Sequence, residues 1–300
     1  MTAPLLELED VRIDSGGRCV LEALHLSSSG DRIGLLGQGR PIFDALAGTA
    51  EVVSGELRVS GTDLDRARES ALFGIARPWS ERTSVSLRDG LIASGLLGGC
   101  AEAVARQRAD QALNLLGMEQ MARTKLSGRT RAEHYLAGLA EAALFEPPTV
   151  IIDWPIGVLP AEAWVRYGMA LARLVQHRRW LAFVPAPARL PVERSWVGAL
   201  DQLLWIENGL CLELGAGSSE RAKTLVVIEG LFDALPEGLE AEATPVQRIR
   251  LSRPAADHQT AFVIDLPRDE FGRILTEPVL SWCDRHGLPL FRLDPLDRGF

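Results

Sequence analysis

Residues 34–48 read Gly34-Leu-Leu-Gly37-Gln-Gly39-Arg40-Pro41-Ile-Phe-Asp-Ala-Leu-Ala-Gly48. An apolar strand over Arg32 to Leu36 passes through a glycine turn into a short helical run, the arrangement in which a chain folds around phosphate groups. A phosphate cradle needs glycine-rich backbone to aim several N–H groups, a Lys to reach the outer oxygens, and a Ser or Thr hydroxyl for Mg²⁺. Here only Gln38 and Gly39 separate Gly37 from Arg40, which stands where Lys is needed, while Pro41 stands where the hydroxyl is needed. Proline also removes an N–H that would face a phosphate. With Gly48 closing the helix, the loop is about four residues short of the G-x-x-x-x-G-K-[ST] pattern. The expectation is a loop that does not wrap a triphosphate.

The chain outside this stretch sets the frame. Its 300 residues, 47% of them hydrophobic, suffice for a large core and for one large domain with a small one, or for two domains. The net charge of −8 argues against a broad basic surface for nucleic acid or anionic lipid. Cys19, Cys100, Cys211 and Cys283 are widely spaced, without a C-x-x-C or Cys/His pairing, so free thiols in a reducing cytoplasm are expected rather than a zinc site or disulfide framework. The N-terminus lacks a signal pattern, and no apolar run approaches the ~18 residues of a membrane span. Any membrane role then falls to a partner.

Leu6, Leu8, Val11 and Ile13 alternate with charged residues as in a strand, and Cys19 to Leu26 begins a second one. Ser54 to Gly61 reads as a short strand between glycines. Leu87 to Met121 is helical in character, and a further helix over Thr130 to Leu144 ends at Pro147-Pro148. Thr149 to Asp153 is a continuous apolar strand of the kind buried in a parallel sheet. A helix over Ala161 to Gln176 and a strand over Trp180 to Val184 repeat the alternation of an open α/β sheet. Leu203 to Glu213 reads as a hairpin turning at Asn208-Gly209, and Gly215 to Ser219 as a linker. Beyond it, strands at Lys223–Glu229, Val246–Leu251, Thr260–Leu266 and Pro289–Leu293, with a helix over Asp269–Arg285, make a β-rich layer with one main helix.

The order of these signals resembles the ATP-binding subunit of an ABC transporter of the exporter type, over residues 5–214. Four landmarks carry the likeness: Gly34 to Gly48 at the P-loop, Ser54 to Gly61 after it, Leu126-Ser127-Gly128 at the signature, and Val150 to Asp153 at Walker B. The resemblance implies an ABC-type P-loop ATPase-like α/β fold, a mixed sheet plus a helical subdomain at about 85–145, within residues 1–220. Residues 221–300 are then a small C-terminal accessory α+β domain.

The departures from the family pattern bear on function. The adenine-stacking aromatic is replaced by Asp14-Ser15, and the Q-loop glutamine falls at Arg77-Pro78, followed by Trp79. Arg129 and Thr130 replace the Gly and Gln that complete the signature. Walker B keeps Asp153, but the general-base glutamate is Trp154, whose indole has no lone pair to take a proton from water. The switch histidine is lost in Pro185-Ala186-Pro187. Without Lys, hydroxyl and base, the groups that carry phosphoryl-transfer catalysis are gone.

The expected protein is therefore a pseudo-ATPase with no catalytic residue, no metal and no cofactor of its own. Its degenerate nucleotide site comprises Gly37, Gly39, Arg40, Pro41, Asp153 and Trp154. Asp153 is read as a buried carboxylate bonded to backbone N–H groups rather than a Mg²⁺ ligand, and Arg40 as a surface or salt-bridged residue rather than an anion contact. Trp154 is expected to fill the former phosphate site or to pack on a partner. Ser127, Gly128 and Arg129 either cap a nucleotide held by another subunit or form a helix N-terminus with Ser127 as its cap. His134, His177 and His286 lack the spacing of a nucleophilic site. The resemblance implies an intact ABC ATPase subunit as heterodimer partner, or self-pairing, beneath a membrane permease at the cytoplasmic face of the inner membrane. A slow nucleotide-hydrolysing subunit and an interaction scaffold detached from transport are the alternatives.

Overall fold

The computed structural model describes residues 3–28, 30–80, 84–185, 190–207, 210–214, 221–229, 246–249, 259–267, 277–286 and 290–295. The chain opens with β1 (Leu6–Ser15) and β2 (Arg18–Ser27). Leu6, Leu8, Val11 and Ile13 are all fully buried although their spacing is not strictly two. A register shift between Leu8 and Val11 absorbs the extra residue, so the inward phase survives the irregularity. β3 (Arg32–Gly37) then enters the central sheet and is followed by α1 (Arg40–Leu46). β4 (Glu51–Val59) starts before the expected Ser54, because its pairing with β1 continues to Asp14 opposite Glu51. With β5 (Thr62–Asp63) these strands form an antiparallel sheet in the order β2-β1-β4-β5.

α2 (Leu64–Glu69) leads to β6 (Phe73–Ala76). The region expected to be helical from Leu87 divides at Gly98-Gly99 into α3 (Leu87–Leu97) and α4 (Glu102–Leu116), followed by α5 (Arg131–Ala143). Thereafter come β7 (Thr149–Asp153), α6 (Ala161–Val175), β8 (Arg179–Phe183), α7 (Pro191–Val197), β9 (Gln202–Glu207) and β10 (Leu210–Leu214). The central sheet has the order β10-β9-β3-β8-β7-β6; its strands are parallel except β10, which returns beside β9. The expected turn at Asn208-Gly209 lies outside the described residues.

Both faces of this sheet are covered, which explains the continuous apolar run at Thr149 to Asp153. Ile33, Leu35, Ile151, Leu181 and Phe183 face a core shared with β1, β4 and α1. Val150, Ile152, Trp180 and Ala182 face the opposite core with α3 to α6. Alternate residues of one strand thus serve two cores.

A third sheet has the order β12-β13-β11-β14, antiparallel throughout: β11 (Arg221–Glu229), β12 (Val246–Ile249), β13 (Gln259–Pro267) and β14 (Leu290–Pro295). Its helix α8 spans Glu277–His286; the earlier part of the expected helix, like the Gly215–Ser219 linker, lies outside the described residues. All four cysteines are free. Among the described residues no helix is long and apolar enough to cross a membrane.

Candidate functional site

The β3–α1 loop is tight and laced to its neighbours. Gly37 has φ +66°, and a side chain there would run into the Ile206 carbonyl oxygen, to which the Gln38 amide donates at 2.6 Å. Gly39 precedes α1 without a capping side-chain bond, and a Cβ on it would lie 2.9 Å from Leu35 Cβ. An α-helix normally presents its first amides to a ligand or cap. In α1, Pro41 has no N–H, and the Ile42 amide turns back to the Gly39 carbonyl at 3.1 Å. This leaves the Arg40 amide as the donor of that first turn, on a helix of only seven residues.

Arg40 closes the site from above. Its Nη1 donates to Asp153 Oδ2 at 2.9 Å and its Nε to Asp44 Oδ1 at 3.0 Å. Its guanidinium carbon lies 4.9 Å from the Phe43 ring centre and 5.5 Å from that of Phe183, within cation–π range. Asp153, at the end of β7, has a side chain only 11% exposed. Its partner is thus a guanidinium from 113 residues away, which corrects the expectation of backbone N–H partners. Arg40 is salt-bridged, one of the two dispositions its sequence context suggested.

The protonation energetics follow from burial. Burial raises the pKa of Asp153 above the ordinary carboxylate value, and the charge and hydrogen bond of Arg40 only partly offset it. Burial also works against the Arg40 charge, but Asp153 and Asp44 together outweigh it and hold the guanidinium firmly charged. Both values rise, which disfavours the charge of Asp153 and favours that of Arg40, because Arg40 keeps water contact whereas Asp153 has one donor among the described residues. Tyr135 and Tyr167, absent from the sequence reading, belong to the same surroundings. Burial pushes both phenols up, and the Asp153 charge adds to each shift. Their positions on α5 and α6 were legible, but nothing local linked them to residue 153.

Trp154 takes neither expected course. It is fully buried, but against the aromatic cluster beneath α6 and α7: its ring meets Trp180 at 5.6 Å and Trp196 at 6.3 Å, both edge to face. Trp154 belongs to the core on the other face of the sheet from Phe183, the strand neighbour of Asp153, so the indole fills hydrophobic space on the face opposite the Arg40–Asp153 pair. Among the described residues its Nε1 has no hydrogen-bond partner.

The signature segment forms an exposed turn. Leu126 is buried, Ser127, Gly128 and Arg129 are exposed, and Gly128 has φ +73°. Ser127 is not the helix cap. Thr130 holds that place, accepting from the Glu133 amide while Glu133 Oε2 accepts from the Thr130 amide at 3.0 Å. No hydrogen bond or ion pair among the described residues joins this turn to Arg40 or Asp153. At the Q-loop position, Trp79 is clamped by bonds from its amide to the His134 carbonyl and from Nε1 to Glu141 at 2.8 Å. His134 is buried as a core residue, with both ring nitrogens unpartnered among the described residues. Pro185 is exposed; Ala186 and Pro187 lie outside the described residues.

Magnesium and a nucleoside triphosphate do not fit the residues present. The carboxylate that would face the metal is bound by a guanidinium, the loop supplies neither ammonium nor hydroxyl, and the next residue is a buried indole. Nor do three His, Cys, Asp or Glu side chains converge on a common point among the described residues.

Comparison with solved structures places this geometry in a known architecture. An ATP-binding subunit of an ABC transporter is similar over 70% of this chain and 90% of its own, at 19% identity and a TM-score of 0.53. A nucleotide-free ATP-binding cassette from an ABC transporter is similar over 72% and 92%, at 16% identity and a TM-score of 0.56. The cbiO1 protein of Clostridium perfringens, part of the ABC transporter complex cbiONQ, is similar over 70% and 87%, at 14% identity and a TM-score of 0.54. The chain matches no protein-family model, and no curated protein sequence matches it. The chain has the fold of an ABC transporter ATP-binding subunit.

Proposed function

We propose that this chain is a catalytically inactive subunit of the ABC type, which works by binding rather than by hydrolysis. Residues 1–220 form the cassette and residues 221–300 an accessory domain. The observation that carries the reading is the Arg40–Asp153 ion pair across the position of the phosphates and metal. Phosphoryl transfer is catalysed largely by positioned charge. In this chain the cation and the carboxylate neutralise each other. Trp154 supplies no base in their place.

In this reading the subunit pairs with an intact ABC ATPase subunit or with itself, and docks beneath a membrane permease as a cytoplasmic, peripheral component of an export complex. The exposed Ser127-Gly128-Arg129 turn is the surface available for contact with a partner's nucleotide. One of the similar structures belongs to a transporter complex, which supports the permease partnership. Calorimetric titration of the purified chain with ATP and Mg²⁺ tests the central claim. No saturable binding in the micromolar range is expected. Micromolar affinity, or hydrolysis that disappears in Asp153→Asn, overturns it.

A further inference from the structure

At the end of the central sheet opposite Arg40, where β3 and β8 begin, the surface opens into a cavity of about 600 Å³. That volume suits a small organic molecule. One wall is apolar: Ala172 and Val175 of α6, Ala199, and the half-buried Trp196, whose indole stands edge-on to Trp180 at 6.4 Å. The other wall is charged, and most of it is already paired. Arg32 is bound to Asp201, and Arg179 Nε lies 2.7 Å from Asp31 as an ion pair.

Arg178 is the exception. Its Nε donates to the Pro147 carbonyl at 3.0 Å and its Nη1 to the Leu174 carbonyl, and no carboxylate pairs with it among the described residues. Two backbone acceptors therefore hold the guanidinium in place without neutralising it, and among the described residues no acceptor takes Nη2. Arg178 and Trp196 line this cavity together with the aliphatic wall, a set that matches a ligand with one anionic group on a flat apolar body. His177 lines the same cavity.

We infer that this cavity is a binding site for a small aromatic or planar monoanion, with Arg178 taking the anionic group and Trp196 the apolar body. The site is separate from the Arg40–Asp153 position and does not depend on nucleotide.

Titration of the full chain with 2-naphthoate by calorimetry tests it, with 2-naphthalenemethanol and inorganic phosphate as the neutral and the body-less comparison. Saturable one-site binding of naphthoate is expected, with both comparison compounds at least about tenfold weaker, the factor a single charge-assisted bond supplies. Arg178→Gln is expected to weaken naphthoate by a similar factor, Arg178→Lys by less, and Trp196→Leu to weaken it while leaving phosphate unchanged. Arg166→Gln, on the exposed face of α6 outside the cavity, leaves binding intact. No saturable binding, equal binding of the alcohol or of phosphate, or full affinity in Arg178→Gln overturns the inference. Should a variant fail to fold, the ligand selectivity of the unaltered chain decides the matter.

Discussion

Two arginine–aspartate pairs stand at the two ends of β3, built from the same side chains and opposite in character. At the first residue of the strand, Asp201 accepts from the amides of Asp31 and Arg32 at 3.2 and 3.0 Å, and from Nε and Nη2 of Arg32. Just beyond the other end, Asp153 accepts, among the described residues, from Arg40 Nη1 alone. The Arg32 hydrogen bond draws the Asp201 pKa below the ordinary value, while burial lifts that of Asp153 above it. An ion pair therefore stabilises a carboxylate in proportion to the donors that surround it and the water it keeps. Asp201 ties the start of β3 to the start of β9. Asp153 is a charge held at some cost.

The strongest way to break this contrast is to put back what the second end lacks. Trp154→Glu supplies the carboxylate that the proposed function reads as missing after β7, yet it removes an indole from an aromatic core and places a charge there. A loss of roughly 3–5 kcal/mol or more is expected in urea denaturation, with no gain of ATP hydrolysis. A stable, hydrolysing Trp154→Glu protein would mean that the site is latent rather than lost.

A smaller effect separates the two aspartates directly. Asp201→Ala strands two backbone amides and a guanidinium, for an expected loss of about 1–2 kcal/mol after allowance for their partial exposure. Asp153→Ala is expected to cost less, because Arg40 retains Asp44 and water. Equal losses from the two variants, measured by the same denaturation midpoint, would erase the distinction.

The smallest effect is one of sign. Asp201, with its folded pKa depressed, contributes stability that is present above the ordinary value of about 3.8 and fades as pH falls through the depressed one. Asp153, with its folded pKa raised, contributes stability that is present below that same value and fades as pH rises through the raised one. Compared with the unaltered chain, Asp153→Asn is thus expected to gain in melting temperature between pH 4 and pH 7, whereas Asp201→Asn loses. Parallel profiles for the two variants would show that burial does not govern Asp153.

Much of the fold was legible because its signals are local. Period-two alternation placed β1, the apolar run placed β7, and the pair of strands at Leu203 to Glu213 placed β9 and β10. The cap of α5 was legible too, since Thr130-x-x-Glu133 is a capping-box pattern, but the Ser-Gly of the signature drew attention three residues too early. The site was less readable. Nothing near residue 40 announces that its guanidinium meets a carboxylate 113 positions later, or that two tyrosines on separate helices sense that carboxylate. Nor does the sequence say which of two cores receives Trp154, because the strand before it serves both.

Which functional groups are present in the loop between Gly34 and Gly48 and after β7 follows from the amino-acid order alone. No lysine, hydroxyl or glutamate stands there, and no folding of the chain supplies them, because those are covalent facts. What became of the groups that remain was set by how the folded chain brings them together. It set Arg40 against Asp153, turned Trp154 away from the loop, and drove two aspartates of the same chemistry to opposite sides of their ordinary pKa. The physical reason is that desolvation and the count of hydrogen-bond donors are properties of neighbours in space, and for these residues the deciding neighbours are far apart in the chain.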